Sequence, residues 1–542
     1  MSFIIKSRRK RAYALNEPLR HEGHKKPVTR RDFLAQGFIT GAATIVAPTM
    51  LASLLKSGRA GAAPTTDLMP DILSLKQDVC NITGGAGKVP FICFDLAGGA
   101  NIAGSNVLVG TRDQLDTLSV QGYSKLGLPG DMVPDFSTGT FVDTQFGLAF
   151  HTDSAFLRGM LSTTTEATRA NVNGAVIPAR SENDTGNNPH NPMYGIARAG
   201  AKGELLTLIG SQNSESGGNS MAPAPLIDAE NRPTKIDRAS DVRGLVDTGE
   251  VANILEPTDT VRSLETMALL SKAKVGLSDA PDDASHLLEA GTVTTRLDLD
   301  QDSDTRKRFL CGYVKTADTV NTFSDPGALD PSQDDDITAI FGANFGGNGE
   351  FQKTASVMKL VVPGYAGAGT ISMGGFDYHT GERATGEVRD FIAGQCMGAC
   401  LEYAARQGKP LMLYVFSDGS LSSNGMTDDS ANGRGKGVWT GDNQQTAASF
   451  FLVYNPIARP VLLNGRHQIG YFRRDGDVET GSSPAANSVN LLVQTVLLNY
   501  MALHSETNLF NGRFGNALGN GGALDGLVAL EPIVNGTIPN YV

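Results

Sequence analysis

The spacing of apolar residues changes period along the chain. Residues 89–96 (VPFICFDL), 411–416 (LMLYVF) and 447–454 (AASFFLVY) are almost unbroken apolar runs. Such runs suit strands covered on both faces, as in a sheet flanked by helices. Shorter runs at 174–178 and 370–373 read the same way, and 106–109 reads as a strand resumed after a glycine turn. Between two of these runs, Val388, Phe391, Ile392, Gln395, Ala399 and Tyr403 recur at helical spacing. They predict a helix with this set on its covered face, Gly408 just past its end and Pro410 barring continuation. Strand, helix, strand in succession gives an α/β fold. Residues 485–504 are apolar but interrupted by Asn487, Asn490, Gln494 and Asn499, which predicts a buried helix rather than a membrane span.

The pattern divides the chain into four parts. Residues 1–62 are a leader, and 63–199 open the α/β domain after an exposed lead-in with a short helix. Residues 200–345 form an insertion or cap, with helical stretches near 240–275 and 284–318 between acidic loops. Residues 346–542 complete the α/β domain, including a Gly- and Asn-rich loop after Asp418 and a tail with one strand-like run at 527–530.

In the leader, Thr29-Arg30-Arg31-Asp32-Phe33-Leu34 precedes a weakly apolar run at 37–55 and then Ala60-Gly61-Ala62. This resembles a twin-arginine export signal, with cleavage expected near Ala62. It implies passage through the twin-arginine translocon, a periplasmic or extracellular destination, and no stable span after cleavage. The leader holds 12 Lys and Arg against 3 Asp and Glu, leaving 34 basic and 54 acidic residues beyond it. So acidic a body argues against a nucleic-acid partner. Cys80, Cys93, Cys311, Cys396 and Cys400 make no CxxC pair, so sulfur-ligand spacing is absent. Cys396 and Cys400, one helical turn apart, read as small buried apolar groups, and one disulfide elsewhere suits an oxidising compartment.

Candidate chemistry gathers where strands end. Ligands of open α/β sheets collect beyond the carboxyl ends of the strands. Asp377 and His379 stand before the long helix and Asp418 follows the run 411–416, so these three are expected to face one polar site. Residues 179–196 (ARSENDTGNNPHNPMYGI) form a polar loop next to a strand, suited to lining a site. The turn Gly98-Gly99 lacks the spacing of dinucleotide or phosphate loops. The alternating acids Asp298, Asp300, Asp302 and Asp304 lack the glycine and glutamate of a calcium loop, and Asp334-Asp335-Asp336 reads as a solvated run ahead of a helix.

Together, the leader, a first strand with a Gly-Gly turn, an Arg-Ser loop, Phe376-Asp377-Tyr378-His379 before a helix, a strand ending in Ser417-Asp418 and Gly441-Asp442 before a further strand are similar to a Tat-exported bacterial family of unknown function. That family shares the alkaline phosphatase/sulfatase fold. A subgroup with the 181–196 loop goes under the label general secretion pathway protein F, a multi-span membrane protein that this chain, with no second span, does not match. The resemblance implies a three-layer sandwich with a mostly parallel sheet and a large helical and loop insertion. It implies a metal-dependent phosphate or sulfate ester hydrolase acting on a small-molecule or polymer substrate. Carried over by position, Asp377, His379, Asp418 and Asp442 would hold the metal. Ser181 or Thr185 would be the nucleophile, with His190 as acid or oxyanion donor and Asp95, Glu182 and Asp184 as further ligands. Asn101 and Asn443 stand where the pattern has an aspartate and a histidine, and the arginine after the Ser-acid pair is missing. The oxygen-rich set suits calcium or magnesium better than zinc. The same losses fit a second reading, an envelope or surface protein that keeps the fold for binding or assembly.

Overall fold

A computed structural model describes residues 68–80, 87–114, 116–181, 188–245, 257–275, 303–322, 329–381, 383–538 and 541. Residues 1–62, expected to be a twin-arginine leader, and Glu182, Asp184 and Thr185 lie outside them. From Thr66 onward the chain is a single compact unit.

Its centre is a seven-stranded sheet. The strands are β1 (Phe91–Leu96), β2 (Val172–Pro178), β3 (Leu206–Gly210), β4 (Thr234–Lys235), β5 (Ala366–Met373) and β6 (Leu411–Ser417), then, beyond a hairpin of β7 (Leu421–Asp428) and β8 (Lys436–Asp442), β9 (Ala448–Tyr454). Across the sheet the order is β2-β9-β6-β1-β5-β3-β4. β9 alone runs against its neighbours β6 and β2, and the other pairings are parallel. All residues of β1, β2, β5, β6 and β9 are buried, which is why their sequences are runs rather than alternations.

Helices cover both faces. Along β1, Ile92, Phe94 and Leu96 join a core with α1 (Ala155–Thr163), while Phe91 and Cys93 join one with α2 (Met193–Arg198) on the other face. Other helices, besides several short ones, are α3 (Pro257–Val275), α4 (Ser303–Thr322), α5 (Asp335–Phe341), α6 (Gly349–Val361), α7 (Ala384–Arg406) and α8 (Val489–Ala502). α6 and α7 lie with α1, and α8 lies with α2. The architecture is a three-layer α/β sandwich. Asp334 caps α5 by accepting from the N–H groups of Asp336 and Ile337, so the acidic run serves the helix start.

Several expectations need correction. The lead-in is not simply exposed, since Ile72 and Leu75 are buried, and the run 527–530 makes one isolated bridge, Leu530 to Leu462, rather than a strand. Segment 106–109 forms no strand, only isolated bridges from Val107 to Ala103 and Phe150. The loop after Asp418 contains the β7–β8 hairpin, paired by main-chain bonds. Its Ser, Asn and Gly residues carry no apolar alternation, so the pattern missed it. The covered face of α7 matches the one that periodicity chose only in its second half: Ala399 and Tyr403 are buried, but Val388 is 46% exposed. In the first half, burial follows Gly386, Glu387, Asp390, Ala393, Gly394 and Met397. A side chain at Gly394 would meet the Phe156 carbonyl oxygen of α1 at 2.3 Å, so small residues let the two helices approach closely, and glycine registers weakly on a hydrophobic scale.

The 200–345 segment contributes more than a cap. β3 and β4 complete one edge of the sheet. Farther on, α3 and α4 enclose Val261, Leu264, Leu310 and Val314 together with Leu68, Ile72 and Leu75 in a small core of their own. A Cys80–Cys311 disulfide closes it across 231 positions of sequence.

Candidate cation site at the carboxyl edge of the sheet

β1, β5 and β6 end level with one another: Leu96 is in register with Met373 and with Ser417. Their exit loops therefore start side by side. Ser417 ties two of them, its hydroxyl donating to the Leu96 carbonyl (2.6 Å) and accepting from Ala100 N–H (2.8 Å). The β5 loop is fixed to the β1 loop by Phe376 N–H on the Ala97 carbonyl (3.2 Å). Gly98, at φ +120°, lies under Asp377; a Cβ there would sit 2.5 Å from the Asp377 nitrogen. Only glycine fits so close a crossing in that conformation.

The hairpin brings the third loop in. Asp442 is the last residue of β8, paired with Leu421, and Asn443 N–H donates to the Ser420 carbonyl (2.8 Å). Gly381 N–H reaches the Trp439 carbonyl (2.8 Å). Trp439 is buried, with the Arg383 guanidinium 4.7 Å over its ring.

The result is a three-residue cluster. Asp377, His379 and Asp442 each present an atom, all within 4.8 Å of one another. His379 Nδ1 lies 2.5 Å from an Asp377 oxygen and 3.1 Å from an Asp442 oxygen. That nitrogen is buried, yet neither contact has the alignment of a hydrogen bond. Two carboxylates and one imidazole nitrogen brought this close make a donor set of the kind that holds a divalent cation, with Asp377, His379 and Asp442 as the residues that would hold it. Asp377 is largely exposed and the other two are about one-third exposed, so a ligand can reach the site.

Asp418 is placed elsewhere. It is buried, 1% exposed, behind Gly98, whose N–H donates to Oδ1 (2.8 Å), while the Asn219 amide donates to Oδ2 (3.0 Å). Asp95 is its neighbour in this inner chamber. Both Asp95 oxygens accept from Ser220, one from the N–H (2.7 Å) and one from the hydroxyl (3.0 Å). Burial pushes Asp95 up to about 7; the Asp418 charge adds to the rise and the Ser220 bonds oppose it. Ser181 is buried too, donating through Oγ to the Asp418 main-chain oxygen, which also accepts from Asn188 Nδ2 (2.7 Å). His190 stacks on Phe416, and neither ring nitrogen has a hydrogen-bond partner. Burial lowers its pKa to about 3, so it is a neutral ring at physiological pH. The proposed metal ligands thus part into a rim trio and one interior acid, and Ser181 and His190 belong with the interior.

Asn101 and Asn443 turn their side chains to local structure. Asn101 bonds the Ser105 hydroxyl, and Asn443 accepts from Gln445 N–H (2.9 Å). The sequence reading missed Asn219 and Ser220. Their signal was present: Gly217-Gly218-Asn219-Ser220 is a glycine turn following β3, and a Cβ at Gly218 would meet Asp95 Oδ2 at 2.6 Å. Among the described residues no helix is long and apolar enough to cross a membrane. Compared with family models, curated proteins and solved structures, the chain finds no match.

Proposed function

We propose that the protein is a divalent-cation-dependent hydrolase of phosphate or sulfate esters, related to the alkaline phosphatase/sulfatase superfamily and working outside the cytoplasm. The convergence of Asp377, His379 and Asp442 beyond the strand ends carries this reading. A cation held there would polarise an ester oxygen and offset charge as the bond breaks. Ser181 is the nucleophile candidate within the described residues; it must leave the Asp418 carbonyl to attack. The Cys80–Cys311 disulfide supports an oxidising destination, in keeping with the twin-arginine leader.

One observation favours the second reading, a binding or assembly protein. Ser181 and His190 are both buried, and His190 is the neutral imidazole rather than the imidazolium that a general acid needs, so nucleophile and acid are both withdrawn from the rim. Phosphatase, phosphodiesterase and sulfatase assays with Ca²⁺, Mg²⁺, Mn²⁺ or Zn²⁺ on the mature protein separate the two. Turnover that Asp377→Ala and Ser181→Ala both abolish supports the hydrolase. Cation binding with no turnover on any ester class supports the binding protein.

A further inference from the structure

Tyr378 lies between the two rim residues of the β5 loop, yet it points the other way. Its side chain is buried, 2% exposed. Its hydroxyl donates to Asp390 Oδ1 on α7 (2.9 Å) and accepts from Asn101 N–H (3.1 Å). Asp390 Oδ2 accepts from the Asn106 amide (2.7 Å), and that amide also donates to the Asn101 carbonyl (2.8 Å). Asn106 Oδ1 is taken by the Ser154 hydroxyl (2.8 Å) and Phe156 N–H (3.2 Å) at the start of α1. One chain of bonds therefore runs from the β5 loop through the β1 loop into two helices.

The fit around Tyr378 is close on its other side. A Cβ at Gly386, in the first turn of α7, would meet the tyrosine ring at 2.8 Å. Burial alternates along this loop: Phe376 and Tyr378 are buried, while Asp377 is exposed and His379 partly so. Fixing Tyr378 inward therefore holds Asp377 and His379 outward.

We propose that Tyr378 and Asp390 are positioning residues for the rim, setting the orientation of Asp377 and His379 toward Asp442. The inference rests on the cation reading only for its consequence; the orientation itself can be tested without metal. Removing the hydroxyl leaves the ring packed but frees the loop from α7. Asp390→Asn leaves a single oxygen for two donors, the Tyr378 hydroxyl and the Asn106 amide, so one of these two bonds is lost.

The test compares wild type, Tyr378→Phe and Asp390→Asn, each with the full disulfide-bonded chain. In the metal-free proteins, the ¹⁵N signals of the His379 ring are recorded, with His190 and His504 as buried controls. Manganese affinity is measured on the same samples. Tyr378→Phe is expected to shift the His379 ring signals and not the controls, and to weaken Mn²⁺ by less than about tenfold, below the loss of an outer hydrogen bond made directly to a metal ligand, since Tyr378 itself bonds none of the three. Asp390→Asn is expected to do the same to a smaller degree. A shifted His379 with no manganese binding in wild type would discard the cation reading and keep the positioning role. Unchanged His379 signals in both variants, whatever the metal affinity, would overturn it.

Discussion

Two carboxylate clusters share the carboxyl edge of this sheet, and they are built on opposite terms. At the rim, Asp377 from the β5 loop and Asp442 from the end of β8 meet around the His379 ring, and all three side chains are partly exposed. In the chamber, Asp95 and Asp418 are buried and met by neutral donors, namely Ser220, Asn219 and the Gly98 N–H. An exposed set of this kind can wait for a cation at little cost. A buried acid beside another acid must either keep a proton or be compensated. Asp95 takes the first course, which is what its rise to about 7 expresses. Two acid clusters at one edge are therefore not two equal halves of a two-ion site: the rim is suited to a cation, the chamber to a proton.

Gly98 touches both regions, and changing it should have the largest effect. Gly98→Ala places a methyl group 2.5 Å from the Asp377 nitrogen at a φ of +120°. It should cost about 3 kcal/mol in chemical unfolding and weaken Mn²⁺ at the rim. A variant as stable as wild type would show that the two loops do not cross there.

Asp95→Asn separates the clusters. The wild-type carboxyl is raised in the folded state to about 7 from an ordinary value of 3.8. Between those values the native protein holds the extra proton, so this group makes stability fall as pH rises from about 4 to 7, with no further change above. The amide removes that slope. It should raise stability at pH 8 by about 1–2 kcal/mol, net of one weakened bond to Ser220, and leave rim affinity for Mn²⁺ as it was. Urea titrations at pH 5 and pH 8 check the sign. A loss of manganese affinity in this variant would join the two clusters into one site.

Asp442→Asn should have the smallest effect on the fold. Its carboxyl is partly exposed at the end of the hairpin, so thermal stability should stay within about 0.5 kcal/mol of wild type, while Mn²⁺ affinity falls about tenfold by calorimetry.

These contrasts also explain what the sequence made legible. The sheet and its main helices were readable because β1, β6 and β9 are buried on both faces and their residues are uniformly apolar. Asp377 and His379 were readable because they sit one loop beyond a strand. The inward course of Asp418 was not, because it depends on Gly98 and Asn219, from segments 320 and 199 positions away. Nor was the buried face in the first half of α7, where Glu387 and Asp390 lie beneath the surface. Glu387 can do so because Arg383, Lys436 and Arg158 surround it; Asp390 because Tyr378 and Asn106 bond to it. Periodicity sees apolar residues and has no means of registering an ion pair or a hydrogen bond made to a distant strand or loop.

The most direct test is manganese titration of the mature, metal-stripped protein, followed by electron paramagnetic resonance, in wild type and His379→Ala. One ion per chain at the rim, with binding weakened at least about 100-fold in His379→Ala while the fold is kept, is the predicted result. Equal binding in the two proteins, or none in wild type, would contradict the cation site.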